Sequence, residues 1–148
     1  MGPCGGNCGD FRKMHMVSEV RRIVRISIRH AAAVDAICVL YERCGRKRCT
    51  ETETNWWGWK GGKLTVIHLR RDEYLTSVEG YYSHFNGYVV IRSLKFVSNL
   101  RTHGQYGNEY GVRFALPAGA GGRIVGFHAR SGQYLDAIGT YVKMAGSS

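Results

Sequence analysis

"GQYLDAIGTYV", Gly132 to Val142, reads as a tight turn that delivers one carboxylate, Asp136, to the mouth of an apolar strand. The same shape recurs in "AAVDAICVLY", Ala32 to Tyr41, and in "DEYLTSVEGYY", Asp72 to Tyr82. Aligned on their second halves, Val34-Asp35-Ala36-Ile37, Leu75-Thr76-Ser77-Val78 and Leu135-Asp136-Ala137-Ile138 coincide, with a threonine where the other two copies have aspartate. A second element also recurs. The glycine loops "GGNCGD" (Gly5 to Asp10), "WKGGK" (Trp59 to Lys63) and "HGQYGNEYG" (His103 to Gly111) each precede a strand pattern. Self-similarity of this kind is the signature of a repeat architecture. Three units of four strands leave about 12 residues for each strand and its turn, at the upper end of all-β spacing. The first glycine loop lies at the N-terminus and its partner phrase at the C-terminus, so the two chain ends are expected to share one sheet.

The pattern between these elements is β throughout. In "RRIVRISIRH", Val24, Ile26 and Ile28 alternate with Arg25, Ser27 and Arg29, a period of two that buries one face. "KLTVIHLR", "GYVVIRSLKFVSNL" and "GRIVGFHAR" are further strands set between glycine-bearing turns. No segment carries a helical period capped at both ends. With 20 Gly, 2 Pro and 148 residues, the chain reads as one all-β domain, residues 1–148, with a short tail from about 143.

Composition narrows the function. No run of apolar residues is long enough for a transmembrane helix, so no membrane insertion is expected. The N-terminus lacks the apolar region of a secretory signal. The five cysteines are an odd number and do not form the pattern of a secreted disulfide framework. A zinc site built from Cys4, Cys8, Cys44 and Cys49 has the wrong spacing for a ribbon and no neighbouring histidine, so no metal or other cofactor is expected. Net charge is +10, from 21 Lys and Arg against 11 Asp and Glu. Apart from "RRIVRISIRH" and "RCGRKRC" these basic residues are scattered, which favours solubility charge over specific nucleic-acid binding. The serines lack a nucleophile elbow and the histidines lack ligand spacing, so catalysis is not expected.

The chain resembles the jacalin-related lectins. The strongest match is "NLRTHGQYGNEYGVRFALPAGAGGRIVGFHARSGQYLDAIGTYV", with "GPCGGNCGDF" and "DEYLTSVEGYY" matching as well. The resemblance implies a β-prism I fold: three four-stranded antiparallel Greek-key sheets with pseudo-threefold symmetry. It implies glycans of the mannose/glucose type as partners, with no enzyme activity. Because Met1 to Cys8 run on continuously before Gly9, it favours the uncleaved, mannose-type branch and a nucleocytoplasmic plant protein. It is compatible with a homo-oligomer. The alternative is a non-catalytic interaction module with a degenerate sugar site and a basic surface for polyanions or protein.

The residues suit sugar chemistry. A sugar hydroxyl both donates and accepts, and an ionised carboxylate can accept from two hydroxyls at once through charge-assisted bonds. By the resemblance, Gly132, Gln133, Tyr134, Leu135 and Asp136 form one binding loop. There Asp136 accepts, while the backbone N–H groups of Gln133, Tyr134 and Gly9 donate. The Tyr134 ring is expected to pack on the sugar. A weaker second site is expected at Asp35 with Ala32, Ala33 and Gly62. Ala31 stands where the motif has glycine, and a positive φ there would degrade this site. The repeat carrying Asp72 and Thr76 is read as structural. Cys8, if it required positive φ, would strain the first loop. Of Trp56, Trp57 and Trp59, two are expected to pack between strands and one to stand exposed beside the second site.

Overall fold

A computed structural model describes residues 1–145 of the chain. Among them are thirteen strands: β1 (Cys4–Gly5), β2 (Asp10–Lys13), β3 (Val20–His30), β4 (Val34–Cys44), β5 (Cys49–Glu53), β6 (Trp57–Gly58), β7 (Lys63–His68), β8 (Leu75–Phe85), β9 (Tyr88–Ser98), β10 (Thr102–Gly107), β11 (Val112–Pro117), β12 (Gly122–Ser131) and β13 (Leu135–Met144). One turn of 3-10 helix, Val17–Glu19, precedes β3. All pairings are antiparallel.

The strands fall into three four-position units. One runs β1-β13-β12-β2, the second β5-β4-β3-β7 with β6 also on β4, and the third β10-β9-β8-β11. Each has a long central hairpin flanked by two outer strands, a Greek-key order. The twelve strands expected become thirteen because the outer strand of the second unit breaks between Glu53 and Trp57 into β5 and β6. A single bridge, Ile124 to Leu75, joins the first and third units into one continuous sheet. The chain ends do share a sheet: β1 and β2 flank the C-terminal hairpin β12–β13. β13 also takes in Lys143 and Met144, at the expected start of the tail, while residues 146–148 lie outside the described part.

The inner faces meet along the prism axis. Ile26, Ile28, Ile37, Leu75, Ile91, Leu94, Phe127 and Ile138 are fully buried there, and the rings of Phe96 and Phe127 meet edge to face at 6.1 Å. That geometry suits the aromatic quadrupole. The alternation of β3 holds only from Ile26 onward. A register shift between Ile23 and Arg25 puts Ile23 inside and leaves Val24 half-buried, because an extra residue in a strand reverses its faces.

The cysteines lie apart. Cys44 and Cys49 face each other across the β4–β5 hairpin and are joined as a disulfide, while Cys4, Cys8 and Cys38 are free. The four cysteines of the conceivable zinc site therefore never converge. Of the tryptophans, Trp57 alone is buried; Trp56 and Trp59 are 41% and 69% exposed, so one packs inside rather than two.

Candidate functional site

The three hairpins present equivalent positions at one end of the prism. Gly5 pairs with Ala137, Gly58 with Ala36 and Gly107 with Ser93. The preceding residues, Asp136, Asp35 and Arg92, are therefore the three equivalents. This corrects the sequence alignment. Thr76 lies on β8, the strand equivalent to β3 and β12, and its hydroxyl donates to the Val97 carbonyl at 3.3 Å. Asp72 lies before β8, at the opposite end from the lip. The third lip residue is an arginine, so the third unit lacks the acceptor for a reason the sequence phrase did not show.

At the first lip, β12 ends at Ser131 and β13 starts at Leu135, leaving Gly132, Gln133 and Tyr134 as the loop. The Gly132 N–H donates to the Tyr134 carbonyl at 3.1 Å and closes it. Leu135 is fully buried and anchors the loop, while Asp136 beside it is 4% exposed. No residue among those described hydrogen-bonds the Asp136 carboxylate; burial pushes its pKa up to about 6, against the opposing charge of Arg130. Gly9, at φ 78°, brings the N-terminal loop against this group, and any Cβ there would collide with the Asp136 carboxylate and the Ser131 carbonyl. Only glycine allows so close an approach. Arg130 fixes the loop by donating from Nη2 to the Gly9 carbonyl at 2.8 Å and from Nε to the Cys8 carbonyl at 3.2 Å. The N–H groups of Gly9, Gln133 and Tyr134 make no backbone hydrogen bond among the described residues. A buried carboxylate thus stands beside loops whose three N–H groups no backbone acceptor takes.

The second lip repeats this plan. The Ala31 N–H donates to the Ala33 carbonyl at 2.9 Å, Ala33 and Asp35 are buried, and Ala32 is half-buried. Gly62, at φ 63°, sits where a Cβ would press on the Asp35 carboxylate and the His30 carbonyl. Burial raises the Asp35 pKa as well, and Arg29 opposes the shift as Arg130 does at the first lip. The expected penalty at Ala31 does not arise. The non-glycine residues with positive φ among those described are Met16 and Asn86, and Gly132 itself has no positive φ. Cys8 is unstrained for the same reason. Trp56, Trp59, Arg29 and Lys60 wall a cleft of about 310 Å³ beside this lip, with the Arg29 guanidinium 5.8 Å from the Trp56 ring. The Trp59 N–H donates to the Asp35 carbonyl at 3.3 Å and ties the cleft to the lip.

Sequence reasoning missed the third hairpin as a neighbour of both lips. β8 and β9 continue to Phe85 and Tyr88 and close through Asn86-Gly87, both at positive φ as a tight hairpin turn requires. Asn86 Nδ2 donates to the Tyr134 hydroxyl at 3.1 Å, and the Phe85 ring meets Tyr134 edge-on at 5.5 Å. Tyr134 is held by this hairpin, a role absent from the expectation that its ring packs on a sugar. The Asn-Gly pair was the available signal.

The described residues bring together one group of three metal-ligating side chains, Glu42, Cys44 and Cys49. It lies at the far end from the lips and its sulfurs are bonded to each other.

Three Greek keys around one axis, with a glycine loop set against a buried aspartate at two of three lips, define a β-prism of the lectin type. Residues 1–141 match the family described as Jacalin-like lectin domain, and the chain belongs to that family. It is 37% identical over 97% of its length to a mannose/glucose-specific lectin of Parkia pendula. A mannose-binding jacalin-related lectin from Ananas comosus superposes with a TM-score of 0.87 at 35% identity, covering 97% of this chain and 96% of that one. The lectin Calsepa, solved in complex with a biantennary N-glycan, gives 0.82 at 30% identity, covering 97% and 95%. The chain spans 23% to 31% of the length of three plant lectins it matches.

Proposed function

We propose that this chain binds glycans of the mannose/glucose type, without catalysis, at the first lip and more weakly at the second. Asp136 accepts hydrogen bonds from two neighbouring sugar hydroxyls, and the N–H groups of Gly9, Gln133 and Tyr134 donate to ring and hydroxyl oxygens. Gly132 and Leu135 set the loop. At the second lip Asp35 accepts, with Gly62, Ala32 and Ala33 supplying the backbone. The observation that carries this reading is the pairing of a partnerless, buried Asp136 carboxylate with the glycine loop at Gly9. A buried carboxylate left without partners costs stability, and such a cost is retained at binding sites. The sugar specificities of the similar Parkia and Ananas lectins support the choice of sugar.

The test is calorimetric titration with methyl α-mannoside. Wild type binds, and Asp136→Ala loses about 1.5–3 kcal/mol, the worth of a hydrogen bond to a charged group. Equal affinity of the two proteins would refute the assignment.

A further inference from the structure

Four arginines from separate parts of the chain converge at the end of the prism opposite the lips. Arg21 and Arg22 open β3, Arg71 lies in the turn after β7, and Arg123 stands at the start of β12. All four line one open groove of about 480 Å³. They come from three different segments of the chain, so the fold, and not a run of sequence, assembles the cluster.

These arginines are uncommitted. None of the four takes part in an ion pair among the described residues. Arg22 donates from Nη1 to the Arg70 carbonyl at a long 3.5 Å, and its Nε is buried with no partner. Arg21 reaches only the Cys44 sulfur, at 3.7 Å. Three acids also line the groove. Glu73 is fully buried and taken by Arg101 and His103, at 3.2 and 2.8 Å, and by Ser98 at 2.6 Å. Glu42 and Asp72 remain, so four guanidinium groups face two free carboxylates. Gathering like charges around one groove is unfavourable unless an anion offsets it. The exposed Tyr74 borders the groove and, with Arg123, continues it toward Lys143 in an adjoining depression.

We propose that this basal groove binds a small ligand bearing clustered phosphate groups. Planar guanidinium forks match the oxygens of a phosphate in pairs, which a lysine cannot do. Four of them around one groove suit several phosphates on one ring better than a single ion, and the volume is that of a small-molecule site. The groove lies about 25 Å from the lips, counting from Arg22 to His30 along β3 at ~3.3 Å per residue. Sugar and phosphate are therefore bound independently. The same chemistry occurs in a soluble polyphosphorylated ring and in an inositol phospholipid headgroup.

The experiment titrates the intact chain with inositol hexakisphosphate, by calorimetry, in the absence of sugar. Arg71→Gln with Arg123→Gln removes two exposed side chains, so the fold is kept, as thermal unfolding checks. This pair weakens binding at least tenfold, and Arg22→Gln alone weakens it severalfold. Asp72→Asn tightens binding. Lys13→Gln with Lys95→Gln, the same loss of charge elsewhere on the surface, changes it less than twofold. Cosedimentation with phosphatidylcholine vesicles, with and without phosphatidylinositol bisphosphate, separates the two sources. Pelleting only with the doped vesicles assigns the groove to a membrane headgroup, and no pelleting assigns it to the soluble ligand. The proposal is overturned if wild type does not bind the probe, or if the lysine pair weakens binding as much as the arginine pair. Loss of mannoside binding on Asp136→Ala bears only on the lip.

Discussion

Arg92 Nε donates to the Ala32 carbonyl at 3.2 Å, so the residue standing in place of aspartate in the third unit braces the second unit's loop. Its guanidinium also lies 4.8 Å from the Phe85 ring and 5.2 Å from that of Tyr110, and its Nη1 reaches the His84 carbonyl at 3.4 Å. One side chain thus replaces an acceptor with a strut. The third unit gives up a site, and its long hairpin becomes a wall between the other two.

Arg92→Ala is expected to weaken second-lip binding severalfold, because the Ala32 carbonyl loses its partner and the loop loses its brace. First-lip binding should hold, since Tyr134 takes its contacts from Asn86 and Phe85. Mannan binding by surface plasmon resonance, in an Asp136→Ala background, isolates the second lip. No change there would show that Arg92 is not a brace.

The glycines divide into two kinds. Gly9 and Gly62 have positive φ and carboxylates where a Cβ would stand, so Gly9→Ala and Gly62→Ala should abolish binding at their own lips. Gly132 has ordinary φ and room for a methyl group, since a Cβ there would meet only ordinary van der Waals contacts, with the Gly9 Cα at 3.8 Å and Asp136 Oδ2 at 4.0 Å. Gly132→Ala should leave methyl α-mannoside affinity within about twofold, and Ala31→Gly should not strengthen the second lip. Calorimetry on the four single variants checks the division; a strong gain on Ala31→Gly would contradict it.

Much of this was readable from residues. The Leu135-Asp136 and Val34-Asp35 phrases gave two lips, and the glycine loops gave the backbones that face them. The third lip was misplaced because Leu75-Thr76-Ser77-Val78 imitates the phrase on the wrong strand. Its true counterpart, Ile91-Arg92-Ser93-Leu94, has no aspartate to mark it. The bulge at Ile23 escaped as well, because a one-residue insertion leaves no periodic trace in a run where both Ile23 and Val24 are apolar. The basal arginine groove was invisible for another reason: its members meet only through strand pairing across the prism.

Glu73 sets the response to acid at the basal end. Its buried carboxylate accepts from Arg101, Ser98, His103 and the Arg70 N–H, and these bonds hold its pKa well below the carboxylate range despite burial. The folded state therefore binds this proton less readily than the unfolded chain. The stabilisation is complete above the ordinary glutamate pKa and is lost as pH falls below it. Glu73→Gln should lower stability at neutral pH, since a neutral amide loses the charge-assisted bonds from the half-exposed Arg101 and from His103. Denaturant unfolding at pH 7 and pH 3 measures this, with the difference from wild type shrinking in acid.

Asp136 behaves in the opposite sense. Burial raises its pKa to about 6, so the folded state takes up this proton more readily than the unfolded chain. Ionisation therefore costs stability, a cost absent below the unfolded pKa and established as pH rises through about 6. Asp136→Asn should be more stable than wild type at pH 7.5, and the gain should vanish at low pH. Sugar affinity runs the other way. A protonated carboxyl loses its charge and half its capacity to accept, so mannoside affinity should fall as pH drops through about 6. Stability and binding thus trade off at one atom pair, the signature of a site held ready for a ligand. Thermal unfolding of wild type and Asp136→Asn down to about pH 3, below the ordinary aspartate pKa, and calorimetric titration from pH 7.5 down to pH 5 test both. Affinity that stays flat across that range while unfolding stays normal would remove Asp136 as the acceptor.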